Sequence, residues 1–423
     1  MSHPEDEDII LICNGEIYNV NKLCEDYRFN PKSKSDCEVI LHLYKKFGIE
    51  KTVDVLDGVF AFVIVDLKKN KLFVARDPFG IRSLFLGYNT YNNTFGISSE
   101  LKSLDQLLEK VEPFQPSHIM EIDLTKLKKD IKYDFGNYKY YSSIMGNKNN
   151  LDIFGYKELK IFKDLEKTKT EYLLPWFLHR YNYEKRFLDN YIGTPLSDKK
   201  YEKYITEIIY HYLNNAVKKR LLSNRPIGCL LSGGFDSSII TALVAQHFES
   251  GKLKTFSIGL EGSEDLKYAR KVAEHLGTDH HEVVVTEKEM LEAIPNTIYT
   301  TETYDTTTVR ASTPMLLLSK YIKKNTDVTV VFSGEGSDEA SGSYMYFHNA
   351  PNDIEFQKES ERLISDLYMF DVLRCDKSTA GAGLEVRVPF LDHDFMNCYM
   401  RVLPEFKNPK KYGIEKYLLR KAF

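Results

Sequence analysis

The sequence predicts two domains of different class, a sheet-rich α+β domain over residues 1–136 and an α/β domain with a parallel sheet over residues 197–423. In the first part, short apolar runs are separated by polar turns and few helical patterns occur. In the last part, strand and helix patterns alternate, which favours an open parallel sheet with right-handed crossovers. That alternation begins with Ile227 to Ser238, an apolar strand that runs through a glycine turn into a helix.

Composition restricts the class of protein further. The chain has 423 residues, 57 of them basic and 61 acidic, for a net charge of −4. This near-balance argues against binding to nucleic acid or to a membrane surface. The six cysteines form no Cys-x-x-Cys pair, which argues against a zinc site or a disulfide framework. The longest apolar run, residues 59–65, is too short to cross a bilayer, so we expect a cytoplasmic protein. A homodimer is a separate expectation.

Local patterns assign the elements of the first domain. The apolar segment Ile9 to Cys13 predicts a strand that ends in a turn at Asn14. Ser35 and Glu38 have the spacing of a capping box ahead of a helix that closes near Gly48. Strands are predicted at residues 60–66, 72–75, 84–87 and 95–98.

Residues 137–196 change character, because eight tyrosines and the single Trp176 lie among lysines and asparagines. A basic and aromatic stretch can stack single-stranded nucleic acid. Its acidic residues and its place between two domains favour a connector instead. A charged amphipathic helix is then predicted from Asp198 to Leu222.

In the second domain, Ser263 is predicted to cap a helix that runs to Leu276 and is stopped by Gly277. Because ligands of parallel sheets bind at the carboxyl ends of the strands, the loops at those ends are the candidate site. Further strands are predicted at residues 255–260, 281–285 and 328–332, and further helices end near 299 and span about 310–324.

Two glycine turns at those ends contain the candidate ligand-binding residues. In the first, Gly233 and Gly234 allow close approach of the backbone to a ligand, and the helix that follows presents free N–H groups to an anion. Asp236 would repel a phosphate unless a divalent cation such as Mg²⁺ lies between them. In the second, Asp338 can complete a magnesium site with Asp236 and leave Glu335 free for proton transfer.

The segment Ser232 to Ser238 lacks the lysine of a Walker motif and resembles the pyrophosphate loop of the ATP-pyrophosphatase superfamily. Residues 333–339, together with 302–312, 344–348 and 383–392, resemble asparagine synthetases of the glutamine-hydrolysing type. The resemblance implies that aspartate is activated by ATP to β-aspartyl-AMP, that Thr307 and Arg310 assist this step, and that Glu335 is the base toward ammonia. The residues it implies for ATP binding are Leu231, Ser232, Gly233, Gly234, Asp236, Ser237, Ser238, Ile258, Ser333 and Gly334.

Residues 14–19, 35–40 and 75–81 resemble the glutaminase half of class II amidotransferases, which has an N-terminal-nucleophile fold. The resemblance implies that Asn14, Gly15, Glu16 and Asp36 bind glutamine. The family's nucleophile is a cysteine at the mature N-terminus, whereas position 2 here is serine and Cys13 lies in mid-chain. The family's phosphate-contacting lysine follows the segment that ends here at Phe423. We therefore expect a chain cut at both ends, without glutamine hydrolysis and using only ammonia, if it is active.

Asparagine synthesis is thus the predicted function, with three alternatives. A β-lactam-synthetase-like enzyme would share the adenylating loops, but the glutamine-pocket motifs argue against it. A catalytically inactive protein that still binds nucleotide would also be consistent with a chain cut at both ends. An RNA-modifying ATP-pyrophosphatase would need a basic face or a thiol relay, and the sequence shows neither.

Overall fold

The computed structural model describes residues 1–89, 91, 94–125, 137–140 and 198–423. The chain divides into two compact units, Met1–Tyr172 and Leu173–Phe423. Apart from Asn137–Tyr140, the tyrosine-rich connector predicted at 137–196 lies outside the described residues. The predicted domain limits at 136 and 197 therefore remain predictions.

The first unit is rich in β-sheet, as the sequence predicted, and its strands pair antiparallel. Its described residues form a six-stranded sheet in the order β1-β2-β3-β4-β8-β9 and a three-stranded sheet in the order β6-β5-β7. The strands are β1 Ser2–His3, β2 Asp6–Ile17, β3 Gly58–Asp66, β4 Lys71–Arg76, β5 Phe85–Asn89, β6 Thr94–Ser98, β7 Lys110–Pro113, β8 His118–Asp123 and β9 Asn137–Tyr140. The helices are α1 Val20–Tyr27, α2 Glu38–Phe47, α3 Ile49–Val55 and α4 Lys102–Asp105.

The central strand β3 shows why both faces of the larger sheet are covered. Its side chains alternate between two apolar clusters, since Phe60 and Phe62 pack with residues of α2, and Ala61 packs with Leu86 of the smaller sheet. An unbroken apolar run such as residues 59–65, with side chains alternating between two clusters, is the pattern of a strand buried on both faces.

Two local predictions in this unit are wrong. Strand β2 does not turn at Asn14 but continues to Ile17, because residues 14–17 pair antiparallel with residues 58–61. A Cβ at Gly15 would lie 2.3 Å from the carbonyl oxygen of Val59, so this glycine serves close strand pairing instead of a turn. Ser35 and Glu38 form no capping box, since the carboxylate of Glu38 accepts the backbone N–H groups of Lys32 and Ser33.

The second unit contains the predicted open parallel sheet. In its described residues, five parallel strands lie in the order β12-β11-β10-β13-β14. The chain moves outward from β10 to β12 and then returns to add β13 and β14 on the other side. Strands β10 and β13 therefore flank the point at which the strand order reverses, where ligands of such sheets bind. The strands are β10 Ile227–Leu230, β11 Lys254–Leu260, β12 Asp279–Val285, β13 Val330–Phe332 and β14 Glu385–Arg387.

Helices surround this sheet, and local capping chemistry fixes the ends of several. Ser263 accepts the N–H of Leu266 and Gly277 adopts a left-handed conformation, as predicted. The longer helices are α5 Asp198–Lys219, α6 Phe235–Ala245, α7 Glu264–Leu276, α8 Glu287–Thr301, α9 Thr306–Asn325, α11 Asp353–Asp366, α12 Asp371–Ala380 and α13 His393–Met400. The short ones are α10 Ser337–Ser341, α14 Pro404–Lys407, α15 Pro409–Tyr412 and α16 Tyr417–Ala422, with 3₁₀ turns at Met345–Asn349, Leu367–Met369 and Pro389–Leu391. Among the described helices, none has the length and apolar content that crossing a membrane requires.

A buried polar group in this unit makes its stability depend on pH. Lys407 donates to Gln357 Oε1 at 2.5 Å, and Gln357 Nε2 donates to Glu361 at 3.2 Å. Burial lowers the pKa of Lys407 to about 7, against the opposing attraction of Glu361, and burial raises the pKa of Glu361 to about 7. Both charged forms are therefore disfavoured in the folded chain.

We expect Lys407→Met to remove a rise in the free energy of unfolding between pH 7 and pH 10.5. In this window the unfolded chain holds a proton on Lys407 that the folded chain lacks, so stability increases with pH, by at most about 1.4 kcal/mol per pH unit. Between pH 4.5 and 7 the raised pKa of Glu361 has the opposite effect, and stability falls as pH rises. Urea unfolding across this range measures both slopes. Lys410→Met, an exposed neighbour, serves as control, and an unchanged slope in Lys407→Met would contradict the account.

Candidate active site at the carboxyl ends of two adjacent strands

The two glycine turns predicted to cooperate are in contact. They follow β10 and β13, which are neighbours in the sheet with Cys229 opposite Phe332. A Cβ on Gly334 would lie 2.9 Å from both the carbonyl carbon of Asp236 and the amide nitrogen of Ser237. The backbones of the two turns therefore touch, and only glycine fits at position 334 without displacing them.

Side chains reinforce this junction. The hydroxyl of Ser337 donates to Asp236 Oδ1 at 2.8 Å. The ammonium of Lys416 lies 2.5 Å from Asp236 Oδ2 and 2.6 Å from Asp338 Oδ1. One cation thus bridges the two carboxylates that the sequence predicts as metal ligands, and the prediction that they lie close together agrees with the structure.

Sequence reasoning did not identify Lys416 as part of this site. It lies just before α16, 180 residues from Asp236, and its side chain is only 7 % exposed. Its backbone is left-handed, with φ of 59°, and Glu415 beside it is held by His348 at 2.7 Å. The signal in the sequence was weak, because a lysine in a charged segment is usually solvated.

The chemistry of this donor set fits a hard cation. Burial raises the pKa of Asp236, while Lys416 lowers it and the charge of Asp338 raises it again. Two adjacent carboxylates are only half neutralised by one ammonium, so the position keeps a negative charge that attracts cations. Among the described residues, no group of three or more His, Cys, Asp or Glu side chains could hold a metal ion. A divalent ion bound by these two aspartates would therefore need further oxygen ligands, such as phosphate and water.

The first turn is organised for an anion. Gly233 has φ of 79°, and a Cβ there would lie 2.4 Å from the amide nitrogen of Ala269. Ser237 Oγ accepts the N–H of Ser232 at 3.2 Å, and Ser238 Oγ donates to the carbonyl of Gly234 at 2.7 Å. Helix α6 begins at Phe235, and Gly234 gives it no side-chain cap. The first N–H groups of this helix thus point toward the turn, where they can bind phosphate.

The remaining residues predicted for ATP binding lie at the same end of the sheet. Leu231 extends β10 by donating its N–H to the carbonyl of Phe256 at 2.8 Å. Ile258 belongs to β11, the other neighbour of β10, and Ser333 follows β13 directly. The topology therefore brings the predicted ATP-binding residues to three adjacent strands.

Glu335 is paired with an arginine in the structure, a contact that the sequence did not predict. Arg374 donates to its carboxylate at 2.8 Å and also contacts Asp371 at 2.8 Å. Burial raises the pKa of Glu335, Arg374 lowers it, and Asp371 raises it. Nearby, burial raises the pKa of Glu339 to about 8, and Tyr344 donates a hydrogen bond to this carboxyl. Sequence reasoning missed Arg374, because nothing local predicts which carboxylate a distant arginine reaches.

Thr307 and Arg310 lie on the exposed face of the first turns of α9. The helix begins after Asp305, which accepts the N–H of Thr308 at 2.7 Å. The loop before it is anchored by a buried ion pair of 2.6 Å between Glu302 and Lys377. Lys377 lies on α12, the helix that also carries Arg374, so one helix positions both this loop and the partner of Glu335.

In the first unit, the structure brings together the residues predicted to bind glutamine. Asp36 accepts the backbone N–H of Ile17, and Cys37 donates to the carbonyl of Gly15 at 3.4 Å. Asn14 is exposed and donates to Ser99 Oγ at 3.3 Å. The strand segment that carries Asn14, Gly15 and Glu16 thus lies directly beside Asp36.

The motif at residues 75–81, which also carried the resemblance, has a structural role here. Asp77 is fully buried and accepts the N–H groups of Phe79, Ile81 and Arg82. Arg76 is also buried, and its guanidinium donates to three backbone carbonyls. These contacts hold the turn in shape and satisfy its buried polar groups.

Comparisons with known proteins agree with this architecture. The asparagine synthase family model matches residues 209–355 and 351–423, and the glutamine amidotransferase domain model matches residues 1–106. Proteins named asparagine synthetase [glutamine-hydrolyzing] from Homo sapiens and Gallus gallus are each 43% identical over 423 residues, and the one from Bos taurus is 43% identical over 425. Each alignment covers 98% of this chain and 68% of the relative.

A solved structure titled as the allosteric regulatory enzyme of purine biosynthesis matches with 15% identity and a TM-score of 0.28, covering 65% of this chain and 60% of that one, a likeness too low to inform on this chain. The identity to the curated relatives and the two family models are sufficient by themselves. The chain belongs to the family of glutamine-hydrolysing asparagine synthetases.

Proposed function

We propose that this chain catalyses ATP-dependent synthesis of asparagine from aspartate through β-aspartyl-AMP. The observation that carries the proposal is the contact between the two acidic glycine turns, where Gly334 packs on Asp236 and one cation bridges Asp236 and Asp338. An adenylating enzyme needs a phosphate-binding turn and a cation position side by side, and this junction supplies both.

ATP binds with its phosphates at the turn Ser232 to Ser238 and at the start of α6. Backbone N–H groups and the hydroxyls of Ser237 and Ser238 contact the phosphate oxygens. Asp236 and Asp338 would hold Mg²⁺, which would neutralise part of the phosphate charge. Leu231, Ile258, Ser333 and Gly334 line the remainder of the nucleotide site.

The β-carboxylate of aspartate attacks the α-phosphorus of ATP, a P–O bond forms, and pyrophosphate leaves. Arg310 and Thr307 are exposed on the first turns of α9. Arg310 neutralises the negative charge that develops on the α-phosphate, and the Thr307 hydroxyl donates a hydrogen bond to a phosphate oxygen. Their loop is fixed by the Glu302–Lys377 pair, so their position relative to α12 is set before substrate binds.

Ammonia then attacks the acyl carbon of β-aspartyl-AMP, and AMP leaves with its oxygen. Glu335 takes a proton from the attacking nitrogen. Its raised pKa makes its carboxylate a better proton acceptor than an ordinary glutamate, and Arg374 holds the carboxylate in one orientation. Its place beside Gly334 puts it next to the phosphate-binding turn.

Ammonia is the nitrogen donor proposed for this chain, and glutamine is the donor in the complete family member. For glutamine, Asn14 and Gly15 of β2 are proposed to bind the side-chain amide, and Glu16 and Asp36 the α-ammonium group. The arrangement of Asp36 beside the strand residues supports a shared pocket. A cytoplasmic location and a homodimer are further expectations, and size-exclusion chromatography with light scattering tests the second.

Exchange of labelled pyrophosphate into ATP, dependent on aspartate, tests the proposal. We expect exchange with aspartate and Mg²⁺ and none when either is omitted. A folded chain that binds ATP but shows no exchange with aspartate would contradict the proposal and favour the inactive nucleotide-binding protein. Exchange that depends on a β-amino acid precursor of a lactam in place of aspartate would favour the ring-closing alternative.

A further inference from the structure

We propose that Lys416 is an internal counter-cation that fills the metal position of the nucleotide-free site, so that the divalent metal enters together with ATP and not before it. This inference rests on the proposed function, because it takes Asp236 and Asp338 as the metal ligands. It adds an order of events and a residue, Lys416, that the sequence did not suggest for this role.

Lys416 occupies the oxygens that a metal would use. The ammonium of Lys416 contacts Asp236 Oδ2 at 2.5 Å and Asp338 Oδ1 at 2.6 Å, and its side chain is 7 % exposed. A metal bound between the same carboxylates would use oxygens that the ammonium now occupies. Two cations at these oxygens would repel each other, so lysine and metal compete for one position.

The negative charges of Asp236 and Asp338 oppose each other in the absence of a cation. Asp236 is partly buried, and the nearby charge of Asp338 opposes its ionisation. Without a cation between them, two adjacent carboxylates in this junction would repel each other. Lys416 offsets this repulsion in the absence of ligand, while the packing of Gly334 on Asp236 keeps the two turns in contact.

Lys416 can leave this position by moving its side chain alone. Its backbone is fixed, because Glu415 is held by His348 and Tyr417 stacks on Tyr412 with ring centroids 3.7 Å apart. Its four-carbon stem is flexible, however, and an ammonium donates hydrogen bonds to phosphate oxygens as readily as to carboxylate oxygens. ATP phosphates entering the turn beside Asp236 offer such oxygens. Moving the ammonium to them releases both aspartates to the metal that ATP carries.

The consequence is that free metal binds poorly and metal-bound ATP binds well. The probe is Mn²⁺ without nucleotide, followed by the loss of the free Mn²⁺ signal in electron paramagnetic resonance. We expect Lys416→Met to bind one Mn²⁺ roughly tenfold or more tighter than the wild-type chain, since a competing charge is removed. The gain is expected to vanish in Lys416→Met combined with Asp236→Asn. Lys421→Met, which removes a lysine of α16 paired with Glu202, is the matched control and should leave Mn²⁺ binding unchanged.

Equal or weaker Mn²⁺ binding by Lys416→Met would overturn the inference. Circular dichroism checks that the variant is folded, and Lys416→Gln, which keeps a long polar side chain without charge, replaces it if it is not. Failure of this inference and failure of the proposed function are distinguishable. If the wild-type chain exchanges pyrophosphate but Lys416→Met binds Mn²⁺ no tighter, only the role of Lys416 is rejected. If Lys416→Met binds Mn²⁺ tighter but the wild-type chain shows no exchange, asparagine synthesis is rejected and the cation position is retained.

Discussion

Glu335→Gln is expected to lower asparagine formation from ammonia by about 10²- to 10⁴-fold while leaving aspartate-dependent pyrophosphate exchange within a few fold of the wild-type rate. The amide keeps the shape of the carboxylate and can still accept a hydrogen bond from Arg374, which retains Asp371 as its ionic partner. It cannot accept a proton. Only the step in which nitrogen loses a proton is therefore affected, and the activation of aspartate is not.

Asparagine release measured with ammonium chloride, beside exchange measured on the same preparation, separates the two steps. Glu359→Gln is the matched control, because Glu359 also pairs with an arginine, Arg362, but on the exposed face of α11. Loss of exchange together with asparagine formation in Glu335→Gln would assign Glu335 to the structure of the nucleotide site. Undiminished asparagine formation would remove it from proton transfer altogether.

Asp236→Asn is expected to lower pyrophosphate exchange by about 10²- to 10³-fold, the largest effect among single changes at the first turn. The amide removes the negative charge that holds Lys416 in the free protein and a metal in the complex. Asp338→Asn is expected to act in the same direction, and the double variant to lose less than the product of the single effects, because both residues serve one cation.

Exchange rates at saturating aspartate measure this effect. Asp279→Asn is the control, since Asp279 is also paired with a lysine, Lys254, but at the amino end of β12. Independent, multiplicative losses in the Asp236 and Asp338 variants would mean that the two carboxylates do not serve the same ion.

Much of the second unit could be predicted because its signals are local. The apolar strand, glycine turn and helix at Ile227 to Ala245, and the serine cap and glycine stop around α7, depend on neighbours in the chain. Even the meeting of two turns far apart in sequence followed from strand alternation, because carboxyl ends of parallel strands lie at one edge of the sheet.

The errors and omissions share a different cause. Asn14-Gly15 has the local composition of a turn, yet pairing with β3 keeps it in a strand. Lys416 and Arg374 reach their carboxylates from 180 and 39 residues away, and no local pattern encodes such partners. The pairing of charges across a fold depends on packing, so the side chains that complete the predicted site appear only in the structure.

The central claim is that Asp236 and Asp338 share one cation at the phosphate-binding turn. A crystal structure with Mn²⁺ and a non-hydrolysable ATP analogue tests it most directly, through the anomalous scattering of manganese. We predict one anomalous peak between the two carboxylates and the phosphates, with the Lys416 ammonium moved onto phosphate oxygens. A peak elsewhere, with Lys416 still bridging Asp236 and Asp338, would contradict the account.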